Sequence, residues 1–262
     1  MHNSIRLSCN SYYCHIFRMI IEHDAFGGPA GGLNHWAKRL GDFGSGVKLG
    51  IDIPNESKGI VPTSTYFDKI YRKNAWRALT IISLGIGQAE ISLTPLQMAN
   101  NAAIMANRGY YITPHFVRGV QTRTGIENMS WTKYQTGIDT SYYNLMANAL
   151  HDVVEIGTAR MARIKGVEVC GKTGTAQNPH GEDHALFIGF APKNNPTIAI
   201  CAVIENAGYG GSWAAPVASL VMEKYITDTI ARPYVEKWVL DAAYLKKAEE
   251  AAKKDKDTKE NE

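Results

Sequence analysis

Long apolar runs are missing from this chain. No stretch approaches the roughly eighteen residues that a membrane-spanning helix needs, and the opening Met1-His2-Asn3-Ser4-Ile5-Arg6 has no apolar core of the kind a secretory leader carries. The reading is of a chain with no membrane segment and no export signal of its own. Cysteine is scarce too. Cys9, Cys14, Cys170 and Cys201 are too few and too irregular for a disulfide scaffold or a zinc site, and each reads as a small buried or half-buried side chain. A charge excess is also lacking: 28 basic against 25 acidic residues leave a formal +3, mixed along the chain, so nothing supports a nucleic-acid partner. The eight histidines show no ligand spacing, so neither a metal nor a cofactor is implied, and Glu182-Asp183 reads as a solvated turn rather than a catalytic carboxylate pair. What is present is 262 residues at 45% hydrophobic, enough for a sizeable core.

Apolar spacing predicts short helices through Tyr13, Phe17, Ile20 and Ile21 and through Leu33, Trp36, Ala37 and Leu40. From Gly41 to Pro62, glycine, proline and β-branched residues predict loop with brief extended pieces. Thr94-Pro95-Leu96-Gln97 is a helix start, with threonine as N-cap, proline at the first helical position and glutamine three residues after the cap; that helix should stop before Gly109. Another is predicted near Ser141 to Glu155, with Leu145, Ala149, Leu150 and Val153 inward, and a further one after Pro216 through Val217, Leu220, Val221 and Ile226. Between them lie strands over Val167 to Thr175, His184 to Phe190 and Thr197 to Glu205. The short link Ala191 to Pro196 favours antiparallel pairing. The predicted class is α/β or α+β, an antiparallel sheet flanked by helices. Residues 233–262 read as a charged C-terminal tail, partly helical and then disordered.

One segment satisfies two motifs with unrelated chemistry. Gly166 to Thr173 fits the phosphate-loop pattern G-x-x-x-x-G-K-[ST], while Lys172-Thr173-Gly174 is the Lys-Thr-Gly triplet of serine acyl-transferases that react with penicillin. A phosphate loop needs a glycine-rich nest followed by a helix at the Lys-Thr. Val167 to Cys170 alternates instead like a strand, and Gly174, Thr175, Asn178 and Pro179 make a poor helix start. A P-loop nucleotide-binding protein is therefore the weakest alternative.

Far upstream, Ser8-Cys9-Asn10 fits Ser-x-Asn. Alone, this reads as a helix N-cap; paired in order with Lys172-Thr173-Gly174 it gains weight. Further blocks follow: Gly50-Ile51-Asp52-Ile53-Pro54, Ser83 to Gln88, Thr94 to Asn100, Gly157-Thr158-Ala159, Gly171 to Gln177 and Phe187 to Pro192. On these blocks, spread from about Ser8 to Tyr225, the chain resembles the penicillin-binding transpeptidases, within them the class B, elongation-type enzymes of the penicillin-binding protein 2 kind, whose fold is shared with β-lactamases.

The resemblance implies a peptidoglycan D,D-transpeptidase that cross-links stem peptides through a serine acyl-enzyme. Its implied partners are a stem peptide ending in D-Ala-D-Ala, β-lactams and other cell-wall elongation proteins; the full-length family member works at the periplasmic face of the bacterial inner membrane. Residue by residue, Ser8 would relay protons, Lys172 would place positive charge beside it, and Asn10 would bind the donor amide. Thr173 and Thr175 would hydrogen-bond the substrate carboxylate, Thr175 N–H would serve as an oxyanion donor, and Gly174 would leave room for substrate along the strand.

One departure stands out. The family's nucleophile is the serine of a Ser-x-x-Lys helix upstream of Ser-x-Asn, and this chain begins seven residues before Ser8. Ser45-Gly46-Val47-Lys48 and Ser130-Trp131-Thr132-Lys133 match the pattern, yet neither has helical surroundings and both follow Ser-x-Asn. The expectation is a partial, N-terminally incomplete transpeptidase domain over residues 1–232, without the nucleophile and inactive alone. The alternative class is a non-catalytic interaction module of cell-wall synthesis with the same fold. A β-lactamase would require a base for deacylation, and none of the acids suggests one.

Overall fold

The structure, a computed structural model, describes residues 1–73 and 75–242. In chain order come α1 (His2–Arg6), α2 (Asn10–Ile21), α3 (Pro29–Asp42), α4 (Ser64–Tyr71), a 3-10 segment (Ala78–Ile86) and α5 (Pro95–Ala106). Two small hairpin-like sheets follow, built from β1 (Tyr110–Ile112), β2 (Gly119–Thr122), β3 (Gly125–Asn128) and β4 (Lys133–Gln135), and paired β1–β4 and β2–β3. After α6 (Thr140–Glu155) come β5 (Cys170–Ala176), β6 (His184–Ala191), β7 (Ile198–Ile204) and α7 (Ala214–Thr227). Strands β5, β6 and β7 form an antiparallel sheet in that order, which leaves β5 at an edge. This is the predicted antiparallel sheet flanked by helices, with two minor sheets that the sequence reading did not contain.

The main core lies between this sheet and α5, α6 and α7. Ala147, Leu150, Val153 and Val154 of α6 meet Phe187 and Phe190 of β6 and Ala214, Ala218 and Met222 of α7. Burying each large side chain stabilises by about 1.5–3 kcal/mol. Phe187 also explains two glycines: a Cβ on Gly171 would come within 2.2 Å of its ring and one on Gly189 within 2.7 Å, and these two glycines face each other across the β5–β6 pair. A second core, with Phe17, Ile21, Leu33, Phe67, Trp76, Ile81 and Leu84, ties α2, α3 and α4 to the 3-10 segment.

The start of α5 follows the predicted capping box. Thr94 Oγ1 accepts from Gln97 N at 3.1 Å, and Gln97 Oε1 accepts from Thr94 N at 3.0 Å. Gln97 does more than cap. Its Nε2 donates to the carbonyls of Gly44 (3.2 Å), Val47 (2.9 Å) and Lys58 (2.9 Å), which folds the glycine-rich loop back onto α5.

Some predicted inward residues face water. Leu145 is 53% and Val221 49% exposed, because each lies on the side of its helix turned away from the buried stripe. The expected boundary near residue 232 falls at a buried ion pair, Arg232 Nε to Glu223 Oε2 at 3.0 Å. Arg232 also donates to Arg163 O and Ser219 Oγ. Residues 233–242 are helical, with Val235 buried and Trp238 stacked on Trp213 at 4.9 Å. The rest of the charged tail lies outside the described residues. Among the described residues no helix is long and apolar enough to cross a membrane.

Candidate active site

The P-loop reading fails on local structure. Gly171, Lys172 and Thr173 lie inside β5, in register with Gly189, Ile188 and Phe187 of β6, so no helix N-terminus faces an anion there. Gly166, at φ +78°, turns the chain into the strand by way of the Ile164–Val167 bridge.

Ser8 does not cap α2 either. The N-cap position belongs to Cys9, which makes no side-chain cap bond. Ser8 occupies the turn between α1 and α2 at φ +54°, a conformation that costs a non-glycine residue some strain. The turn is held by Ser8 N–H to Ile5 O (3.2 Å) and Cys9 N–H to Ser4 O (2.9 Å). In that position Ser8 Oγ accepts a hydrogen bond from Lys172 Nζ at 2.7 Å, across 164 positions of sequence.

Lys172 Nζ donates also to Thr173 O at 2.8 Å. Burial of the amine lowers its pKa from the ordinary 10.5 to about 8, since the charged form loses solvation. An amine so tuned has both its protonation states within reach of neutral pH, as a general acid or base requires.

Around this pair opens a cleft of about 430 Å³, lined by all six residues that the motifs singled out: Ser8, Asn10, Lys172, Thr173, Gly174 and Thr175. Asn10 opens α2 on one wall, and the β5 edge forms the other. Thr173 Oγ1 lies 2.9 Å from Thr158 Oγ1, which orients it. Thr175 Oγ1 accepts from Gly210 N at 3.5 Å. Gly174 sits close to the next strand, where a Cβ would be 3.2 Å from Leu186 Cβ.

Sequence reasoning missed Tyr13, Gly85, Ile86, Gln88 and Tyr209, which complete the lining. Gly85 and Gln88 stood in a block marked by resemblance, without a role. Tyr209 had no signal at all; it reaches the cleft because Gly210 presses on the sheet, where a Cβ would sit 2.2 Å from Gly174 O and 2.3 Å from Leu186 O.

The two Ser-x-x-Lys matches lie elsewhere. Ser45 is buried in the turn after α3, where its Oγ accepts from Asn101 Nδ2 at 3.2 Å. Ser130 sits in the connection between β3 and β4. Neither is on a helix and neither lines the cleft.

Comparison with known proteins agrees with the geometry. Residues 1–223 match the family described as penicillin binding protein transpeptidase domain. A peptidoglycan D,D-transpeptidase, MrdA, of Acinetobacter baumannii is 35% identical over 246 residues, covering 86% of this chain and 34% of the relative; the Haemophilus influenzae protein of the same name is 34% identical over 227 residues, covering 79% and 34%. The chain thus spans about a third of the length of these relatives. Among solved structures, Pseudomonas aeruginosa PBP2 superposes with a TM-score of 0.70 at 29% identity, covering 86% of this chain and 48% of that one. Helicobacter pylori PBP2, solved in complex with MreC, gives 0.69 at 25% identity, covering 86% and 39%.

Proposed function

Because the chain belongs to the penicillin binding protein transpeptidase domain family, we propose that its cleft binds the D-Ala-D-Ala end of a peptidoglycan stem peptide and forms two walls of a D,D-transpeptidase site. The observation that carries this reading is the 2.7 Å bond from Lys172 to Ser8, which joins the Ser-x-Asn and Lys-Thr-Gly motifs inside one cleft. In the reaction, a serine hydroxyl attacks the carbonyl of the penultimate D-alanine and the terminal D-alanine leaves as its amine. An acceptor amine then attacks the acyl-serine ester, forms the new amide and restores the hydroxyl.

Ser8 and Lys172 move the proton: the lysine, with its pKa near 8, accepts or returns it through the Ser8 hydroxyl. Thr173 and Thr175 hold the terminal carboxylate, with the Lys172 ammonium adding charge. Asn10 takes the donor amide, and Thr175 N–H stabilises the tetrahedral oxyanion. The attacking serine is not supplied by these residues, since neither Ser-x-x-Lys match reaches the cleft. We therefore assign this chain the substrate-binding and proton-relay walls without the nucleophile, in a domain over residues 1–232. Partners of the elongation machinery, supported by the MreC complex of Helicobacter pylori PBP2, and a periplasmic place at the inner membrane belong to the same proposal.

Two measurements test it together. Fluorescent penicillin should leave no covalent label on this chain, and diacetyl-L-Lys-D-Ala-D-Ala should shift the amide resonances of Thr173 and Thr175 saturably. Covalent label would overturn the assignment of the nucleophile; flat resonances would overturn the peptide site and favour a non-catalytic interaction module.

A further inference from the structure

β5 is an edge strand, and an edge strand presents unpaired N–H and C=O groups to whatever lies beside it. Along a strand these groups point to the same side at every second residue. Thr173, Thr175 and Gln177 accordingly share the side away from β6. Thr173 O faces Lys172 Nζ, as described above. Beyond Thr175 N–H, the following two groups are both engaged by one side chain: Gln88 Nε2 donates to Thr175 O at 2.8 Å, and Gln177 N–H donates to Gln88 Oε1 at 3.4 Å.

A carboxamide has the same donor and acceptor as a peptide unit. Gln88 therefore takes the edge carbonyl and N–H that an added strand would bond through the N–H and C=O of two of its peptide units. Its orientation is decided by the partners, with nitrogen toward the carbonyl and oxygen toward the N–H. Its backbone is fixed independently of this contact. Gly87 ends the 3-10 segment at φ +75°, and Gln88 N–H donates to Ser83 O at 3.1 Å. The side chain can swing away while the turn stays.

We infer that Gln88 is a gate on the β5 edge: its carboxamide holds the donor and acceptor that an extended peptide would use, and peptide binding exchanges that side chain for the peptide's own main chain. The inference rests on the peptide reading of the cleft. It adds a selection rule, because a ligand must present both an N–H to Thr175 O and a C=O to Gln177 N–H to displace Gln88 without leaving either group unpaired. A ligand offering only a carboxylate would bind beside the gate and leave it closed.

The test uses the whole ¹⁵N-labelled chain titrated with diacetyl-L-Lys-D-Ala-D-Ala. The Gln88 side-chain NH₂ signals are assigned by their loss in Gln88→Ala. In the wild type they should move toward free-solvent positions as the peptide saturates, and Gln88→Ala should bind about two- to tenfold more tightly, the worth of the contact no longer displaced. Peptide that binds while the Gln88 signals stay in place, or equal or weaker affinity in Gln88→Ala, overturns the gate and leaves the peptide site standing. Absence of binding to both proteins overturns the peptide site and the gate with it.

Discussion

Replacing Lys172 by methionine separates the cost of burying its charge from the value of its hydrogen bonds. A fall in pKa from 10.5 to about 8 corresponds to about 3 kcal/mol of native-state stability forgone while the amine is charged. Below pH 8 both folded and unfolded chains carry the proton, so that penalty is constant. Between pH 8 and 10.5 the unfolded chain still binds it and the folded chain does not, so stability rises with pH through this window. Lys172→Met has no such proton, and its stability should lack that rise.

At pH 7 the variant escapes the penalty but loses the bonds to Ser8 Oγ and Thr173 O, each worth about 1.5–3 kcal/mol for a charged donor. The two effects oppose each other and leave a net loss of about 0–3 kcal/mol at neutral pH. The informative quantity is the difference between wild type and variant, which removes every other titrating group. Urea unfolding at intervals from pH 7 to pH 10.5 should show wild type gaining on Lys172→Met by up to about 3 kcal/mol. A difference that is flat, or that falls with pH, refutes the claim that this amine is buried and held near pH 8.

Gln97→Leu should cost about 3 kcal/mol or more in chemical denaturation, because the three carbonyls it serves and the Thr94 N–H are left without that partner; a loss below about 1 kcal/mol would mean that the loop of residues 44–58 is held by other contacts. Arg232→Met leaves Glu223, 3% exposed, as an unpaired buried carboxylate, and should destabilise by about 3–5 kcal/mol. The double variant with Glu223→Leu should recover part of that loss, and a double variant as unstable as Arg232→Met alone would argue against the pair.

Much of the fold was legible because its signals are local. Thr94, Pro95 and Gln97 state a helix start in four residues, and the alternation around β5, β6 and β7 states strands. The unread parts depend on distant partners. Helix α4 contains Tyr66, Phe67, Ile70 and Tyr71, residues of modest helix propensity, and it exists because Phe67 is buried on Trp76 and Leu33. Strands β1 to β4 are only three or four residues long, and Tyr111 is the one fully buried side chain among them, so no inward alternation marks them. In the site, Ser8 and Lys172 were found through paired motifs, since nothing near Ser8 says that its hydroxyl faces a lysine. Gln88 was legible only as part of a block; its contact with β5 is written in the turn at Gly87 and the sheet edge together.

The bond between Ser8 and Lys172 also sets a clock on biosynthesis. Its two ends are 164 positions apart, and ribosomal synthesis at about 5–20 residues per second separates their appearance by roughly 10–30 s. During that interval the Ser8 turn exists without its partner, and closure must then overcome the entropy of a very long loop. The contact between Ser8 and Lys172 is consequently absent from any nascent product that stops before β5.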